Sequence, residues 1–184
     1  GAAINGLRAG WGKFSAMLAG GDDIERVTRR MEAFTGGASS AAGAARDVVD
    51  FADTPPFGLA ETQRAAQLLL GCGVRASELK STLESLGNVA AGSGMSLEQI
   101  GVRLSVAFQS GKVGMRDLRP LMENGVDVLK LWSRQTGKTR AELQKMMTEG
   151  TIGFRDLKGA LVSMGSAGGQ FAGAMEKNTQ DIEN

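Results

Sequence analysis

The chain has 184 residues, 21 of them basic and 20 acidic, with a net charge of +1 and neither histidine nor tyrosine. That length suits one domain able to bury a core without metals or cross-links. The balanced charge leaves no electrostatic footprint for nucleic acid or an anionic membrane. The missing residue types exclude Ser-His-Asp and Cys-His catalysis, histidine metal sites and tyrosine nucleophiles. The one cysteine, Cys72 in "LLLGCGV", can form no disulfide within the chain. It reads as a small buried hydrophobe. No apolar run approaches the ~18 residues that cross a bilayer, and no charged-then-apolar leader is present. Starting at Gly1 and ending at "DIEN", the chain reads as a piece of a longer protein.

In chain order, Leu7, Trp11, Phe14 and Leu18 form one apolar stripe over residues 5–19. Asp22 with Glu25 predicts a capping box opening a helix to about Phe34. The small-residue run 35–45, "TGGASSAAGAA", reads as a flexible connection, with a helix resuming before Val48 and Phe51. Prolines 55 and 56 stop that helix. Residues 1–50 are thus expected to hold the N-terminal helices and this connection, and 51–184 a helical domain.

Further along, Leu59, Ala66 and Leu70 mark a helix over 58–71, and Leu79, Leu83 and Leu86 one over 76–92. "SLEQ" at 96–99 predicts a capping box before Ile100, Leu104 and Phe108. Leu118, Leu121 and Met122 precede Gly125, and Val128, Leu129 and Trp132 mark the next helix. "TRAE" at 139–142 caps a helix with Leu143, Met146 and Met147, and Leu157, Leu161 and Met164 follow. "SAGG" ends that helix, and Phe171 to Met175 begin a last one. The expected fold is all-α, a compact bundle of about nine to eleven short helices. Its 27 glycines, about twice ordinary usage, fall mostly at the joints.

Two joints are alike. "SGKVGMRDLR" (110–119) and "EGTIGFRDLK" (149–158) share glycine, an aliphatic, glycine and Arg-Asp-Leu. They carry the sixth, eighth and twelfth residues of an EF-hand loop as Gly111, Val113, Asp117 and Gly150, Ile152, Asp156. The first, third and fifth places, however, hold Val106, Phe108, Ser110 and Lys145, Met147, Glu149. Those sets cannot surround a hard cation, so no metal is expected. As joints, the same residues make sense. Gly111 and Gly150 end helices at positive φ, and Val113 and Ile152 turn into the core, meeting across a short antiparallel bridge. Gly114 and Gly153 serve as N-caps. Asp117 and Asp156 at the third helical position complement the exposed N–H groups. The chain thus contains two helix–loop–helix units.

Chemistry finds little purchase. Glu84-Ser85 resembles, over two residues, the acid-serine pair of lytic transglycosylases, but as plain sequence Glu84 completes the "STLE" capping pattern on a solvated face. No catalytic or cofactor-binding residue is assigned. Most of the nine methionines fall on apolar stripes. Trp11, Phe14 and Trp132 are the aromatics that could serve an interface if exposed.

Five stretches in fixed order resemble the tape-measure domain of tailed-phage and prophage tail length tape measure proteins. They are "TPPFGLAETQRAAQLLLGCGV" (54–74), "LESLGNVAAGSGMSLEQI" (83–100), "SGKVGMRDLRPLMENGVDVLKLW" (110–132), "MTEGTIGFRDLKGAL" (147–161) and "GGQFAGAMEKNTQDIEN" (168–184). The resemblance covers about residues 50–184 and departs at the doubled proline and at Asn178. It implies a structural protein of the virion tail, assembled in the host cytoplasm, that occupies the tail tube and sets its length. The partners it implies are the tail-tube subunit, tail assembly chaperones and tail-tip or baseplate proteins. It brings no catalytic residue. A generic helical interaction module of another tail or scaffold protein is the alternative, and a peptidoglycan-degrading tail domain a third reading. A ruler requires long helix at ~1.5 Å per residue. A globule of this length has a radius of gyration of about 16 Å, so the domain is expected to be a module attached to the ruler.

Overall fold

The computed structural model describes residues 24–54 and 56–183. Within them all regular structure is helical. Helix α1 covers 24–35, followed by α2 Ala38–Ala52, α3 Leu59–Gly71, α4 Ala76–Ser93 and α5 Leu97–Ser110. Then come α6 Met115–Glu123, α7 Val128–Thr136, α8 Arg140–Thr148, α9 Phe154–Gly165 and α10 Ala174–Glu183. The stripe expected at 5–19 and the cap expected at Asp22 lie outside the described residues.

The centre is α4, which packs against α2 and α9, then α10, with α3 and α5 beside it. Eight of its side chains or glycine faces are buried, Leu79, Leu83 and Leu86 completely. Each such leucine contributes about 2 kcal/mol from area removed from water. The most extensive helix pairing is α3 on α5, where Ala65 and Leu68 approach the bare face of Gly101. Two polar contacts fix this pair. Glu61 accepts the Leu97 N–H at 2.7 Å, and Arg64 reaches Glu98 at 3.0 Å. Helices α6, α7 and α8 form an outer tier reached through α5 and α9.

Several helix ends follow their sequence signals. Ser96 and Gln99 cap α5 reciprocally, and Thr139 and Glu142 do the same for α8. Asp127 caps α7 through the Lys130 N–H, and Arg140 holds the same carboxylate with both contacts near 3 Å. Pro120 sits inside α6, where its missing N–H limits the helix to a short piece.

Three local expectations need correction. The run 35–45 is not a flexible connection: α2 starts at Ala38, and only Gly36-Gly37 break the chain. Ala41, Ala44 and Ala45 lie on the buried face with Val48 and Phe51, so their small size permits close packing. Second, "STLE" is no helix start. Ser81 lies inside α4 and donates back to the Glu78 carbonyl. Third, α10 begins at Ala174, while Phe171 sits buried in the preceding turn with its N–H on the Met164 carbonyl at 2.8 Å.

Candidate functional site

The repeated joints lie side by side. The N–H of Val113 donates to the Ile152 carbonyl at 2.8 Å, and both side chains are buried. The antiparallel bridge is thus reduced to one hydrogen bond, with no strand formed. Gly111 and Gly150 have φ of 72° and 73°, the left-handed region where only glycine is unstrained. Each following aspartate turns back onto its own helix start. Asp117 accepts the Gly114 N–H and Asp156 the Gly153 N–H, both at 2.8 Å. These carboxylates therefore close their helix termini and do not face into the loops. Ser110, the one early-position hydroxyl of the first loop, donates to the Lys112 carbonyl at 2.7 Å. Among the described residues no group of three or more Cys, Asp and Glu side chains is placed to hold a metal ion.

The aromatic candidates separate. Trp11 and Phe14 lie outside the described residues. Trp132 is buried at 7% exposure, because it lies on the inner face of α7 with Val128 and Leu129; it offers no free face. Phe108, expected on the buried stripe of α5, is instead 46% exposed and meets Phe154 edge-on at 5.4 Å. Phe108 shares the face of Leu104 one turn on, where the start of α9 meets it through Phe154 and leaves it half exposed.

Glu84 and Ser85 do not act together. Ser85 is buried, donating to the Ser81 carbonyl and sharing a hydrogen bond with Ser166. Glu84 is exposed on another side of α4, where it lines a groove of about 580 Å³. One wall is Asp47, Asp50 and Phe51 of α2 with Thr54 just beyond it, and the other Lys80, Glu84 and Asn88 of α4. Asn88 closes one end, donating to the Gly165 carbonyl at 2.9 Å and accepting the Met175 N–H at 3.1 Å. Burial pushes the Asp47 carboxyl above its ordinary value, with Lys80 opposing and Asp50 and Glu84 adding to the rise. Sequence reasoning passed over this groove. Its only local sign was Asp47 and Asp50, one turn apart beside the buried Val48 and Phe51. Across the turn at 167–170 lies a second groove of about 820 Å³, with Lys130 and Arg134. Cys72 is buried, and burial pushes its thiol up, away from reactivity.

What these contacts define is an all-helical packing module whose glycine-turned joints set the angles between short helices. The chain belongs to the tape measure protein family, whose sequence profile matches residues 15–184. It is 30% identical over 155 residues to the Mu-like prophage FluMu protein gp42 of Haemophilus influenzae. That match covers 82% of this chain and 24% of the relative, so the chain spans about a quarter of that protein's length. No solved structure gives a significant match. Family and relative together give the chain a structural role related to the phage tail.

Proposed function

We propose that this chain is a folded assembly module of a phage or prophage tail tape measure protein, serving tail assembly and length determination without being the ruler itself. The observation that carries the reading is helix length. The longest described helix, α4, has 18 residues and is about 27 Å long. Every other described helix is shorter and turns back onto a shared core. A length-setting element needs extended helix, and this fold spends its residues on burial. Its partners on this reading are the tail-tube subunit, tail assembly chaperones and tail-tip or baseplate proteins, met in the host cytoplasm before the tail is complete.

The test is a pair of in-frame deletions in a phage carrying the parent gene. Deletions in the remainder of the parent protein shorten tails in proportion to the residues removed. Deleting residues 24–183 impairs tail assembly. Normal yields of tails shortened only by the residue count would overturn the distinction between module and ruler.

A further inference from the structure

The acidic groove has the form of an empty helix slot. Its two walls are two helices packed side by side, with Asp47, Asp50 and Phe51 on α2, Thr54 just past the end of α2, and Lys80, Glu84 and Asn88 on α4. From Lys80 to Asn88 on α4 the trough runs about 12 Å, two turns of helix. At one end Asp47 interacts electrostatically with Lys80 and Glu84. At the other, Phe51 and Met175 crowd the bare face of Gly87, and Ala167, Ala172 and Gly173 complete the wall. The floor is therefore apolar and the rim acidic. Asp47, Asp50, Glu84 and Glu176 make no ion pair with another described residue, and Lys80 is the one base among the described lining residues. Carboxylates held together in this way repel one another, and cations brought between them would relieve that repulsion.

We propose that this trough docks one cationic amphipathic helix of a partner protein, with apolar side chains at i and i+3 or i+4 set on Phe51 and Met175 and with lysines or arginines on both flanks meeting the two acidic walls. Two turns of helix match the trough's length, and the charges at its rim suit such a helix and repel an acidic one. The inference stands on the geometry of α2, α4 and the turn before α10, so it can fail without touching the tail reading, and the reverse.

The probe is a fluorescently labelled helical peptide of leucine, alanine and lysine carrying that pattern, titrated into the whole 184-residue chain and followed by anisotropy. A scrambled peptide of the same composition serves as control. Saturable one-to-one binding is expected for the patterned peptide alone, with NMR shifts concentrated in residues 47–54 and 80–88. Asp50→Lys and Glu84→Lys change exposed positions; each is expected to weaken binding about tenfold or more while leaving the circular dichroism unchanged. Glu123→Lys, an exposed acid outside the trough, makes the same change in net charge and should leave binding intact. Four results overturn the proposal: no binding of the patterned peptide, equal binding of the scrambled one, an equal loss in Glu123→Lys, or shifts mapping elsewhere. A fifth would reassign the trough to a second copy, whose Lys130 and Arg134 would supply the cations. That result is a dimer of the free chain in sedimentation that Glu84→Lys dissolves.

Discussion

At the scale of single residues, carboxylates do two opposite jobs. Asp117 and Asp156 each hold a backbone N–H at the start of a helix, where the dipole favours negative charge. Replacing either by alanine is expected to lower stability by about 0.3–1 kcal/mol, read as a shift of the urea midpoint at unchanged slope. Asn at the same place keeps an acceptor and should lose less. Equal losses for Ala and Asn would show that the charge alone matters. Asp47 is the contrary case. Its folded pKa lies above the ordinary 3.8, mainly through burial. Between the two values the folded chain holds a proton that the unfolded chain has released, so stability falls as pH rises through that window. At neutral pH the carboxylate is a net cost, softened by the solvent reaching this half-buried side chain. Asp47→Asn should therefore raise Tm at pH 7, with the gain vanishing below the ordinary aspartate value. A gain that persists undiminished into acid would place its origin outside ionisation.

Between elements, the tightest junction is α4 with the end of α9. A Cβ at Gly165 would overlap the Ser85 carbonyl, and Asn88 and Ser166 bond across the same contact. Gly165→Ala must push the two helices apart and should cost about 3 kcal/mol; Gly159→Ala, with open space around its Cβ, should cost nothing in thermal unfolding. If both variants melt alike, α9 is not seated as described. Nothing local in "SMGSAGG" distinguishes that glycine from its neighbours, because the demand comes from a carbonyl about 80 residues away. The helices themselves were legible where the signal is local. Leucines at three- and four-residue spacing and reciprocal caps such as Ser96 with Gln99 depend on neighbours in the chain. The paired joints carry a signal of the same local kind, since each aspartate bonds the N–H three residues before it. Small residues misled: the alanines of 38–45 look like a linker alone and pack as a helix only because other elements cover them. Phe108 departs from its expected burial because burial depends on which helix arrives opposite. The trough escaped notice since it exists only between α2 and α4.

For the whole molecule, burial is uneven in a way that bears on the proposed role. One continuous core runs from Val27 to Phe171, but its weight lies in α2 to α5 and α9. Helix α4 buries eight residues, whereas α6 and α8 bury two each and α7 three. The outer tier spans residues 115–148, rests on the rest through α5 and α9, and includes the proline-limited α6. Regions with few buried apolar contacts open at lower free energy than the global transition. Amides of α6 to α8 should therefore exchange through a sub-global opening, at a free energy below that of α4, when hydrogen exchange is followed at increasing sub-denaturing urea. The α4 amides should follow the global unfolding line, since losing α4 dismantles the packing of α2, α9 and α10 at once. A module that must loosen to enter or leave a tail tube would begin at this tier, where the paired loops would part at the one Val113–Ile152 hydrogen bond. Exchange of α6 to α8 merging with α4 at every urea concentration would mean a single cooperative unit, and loosening would then require unfolding the whole domain.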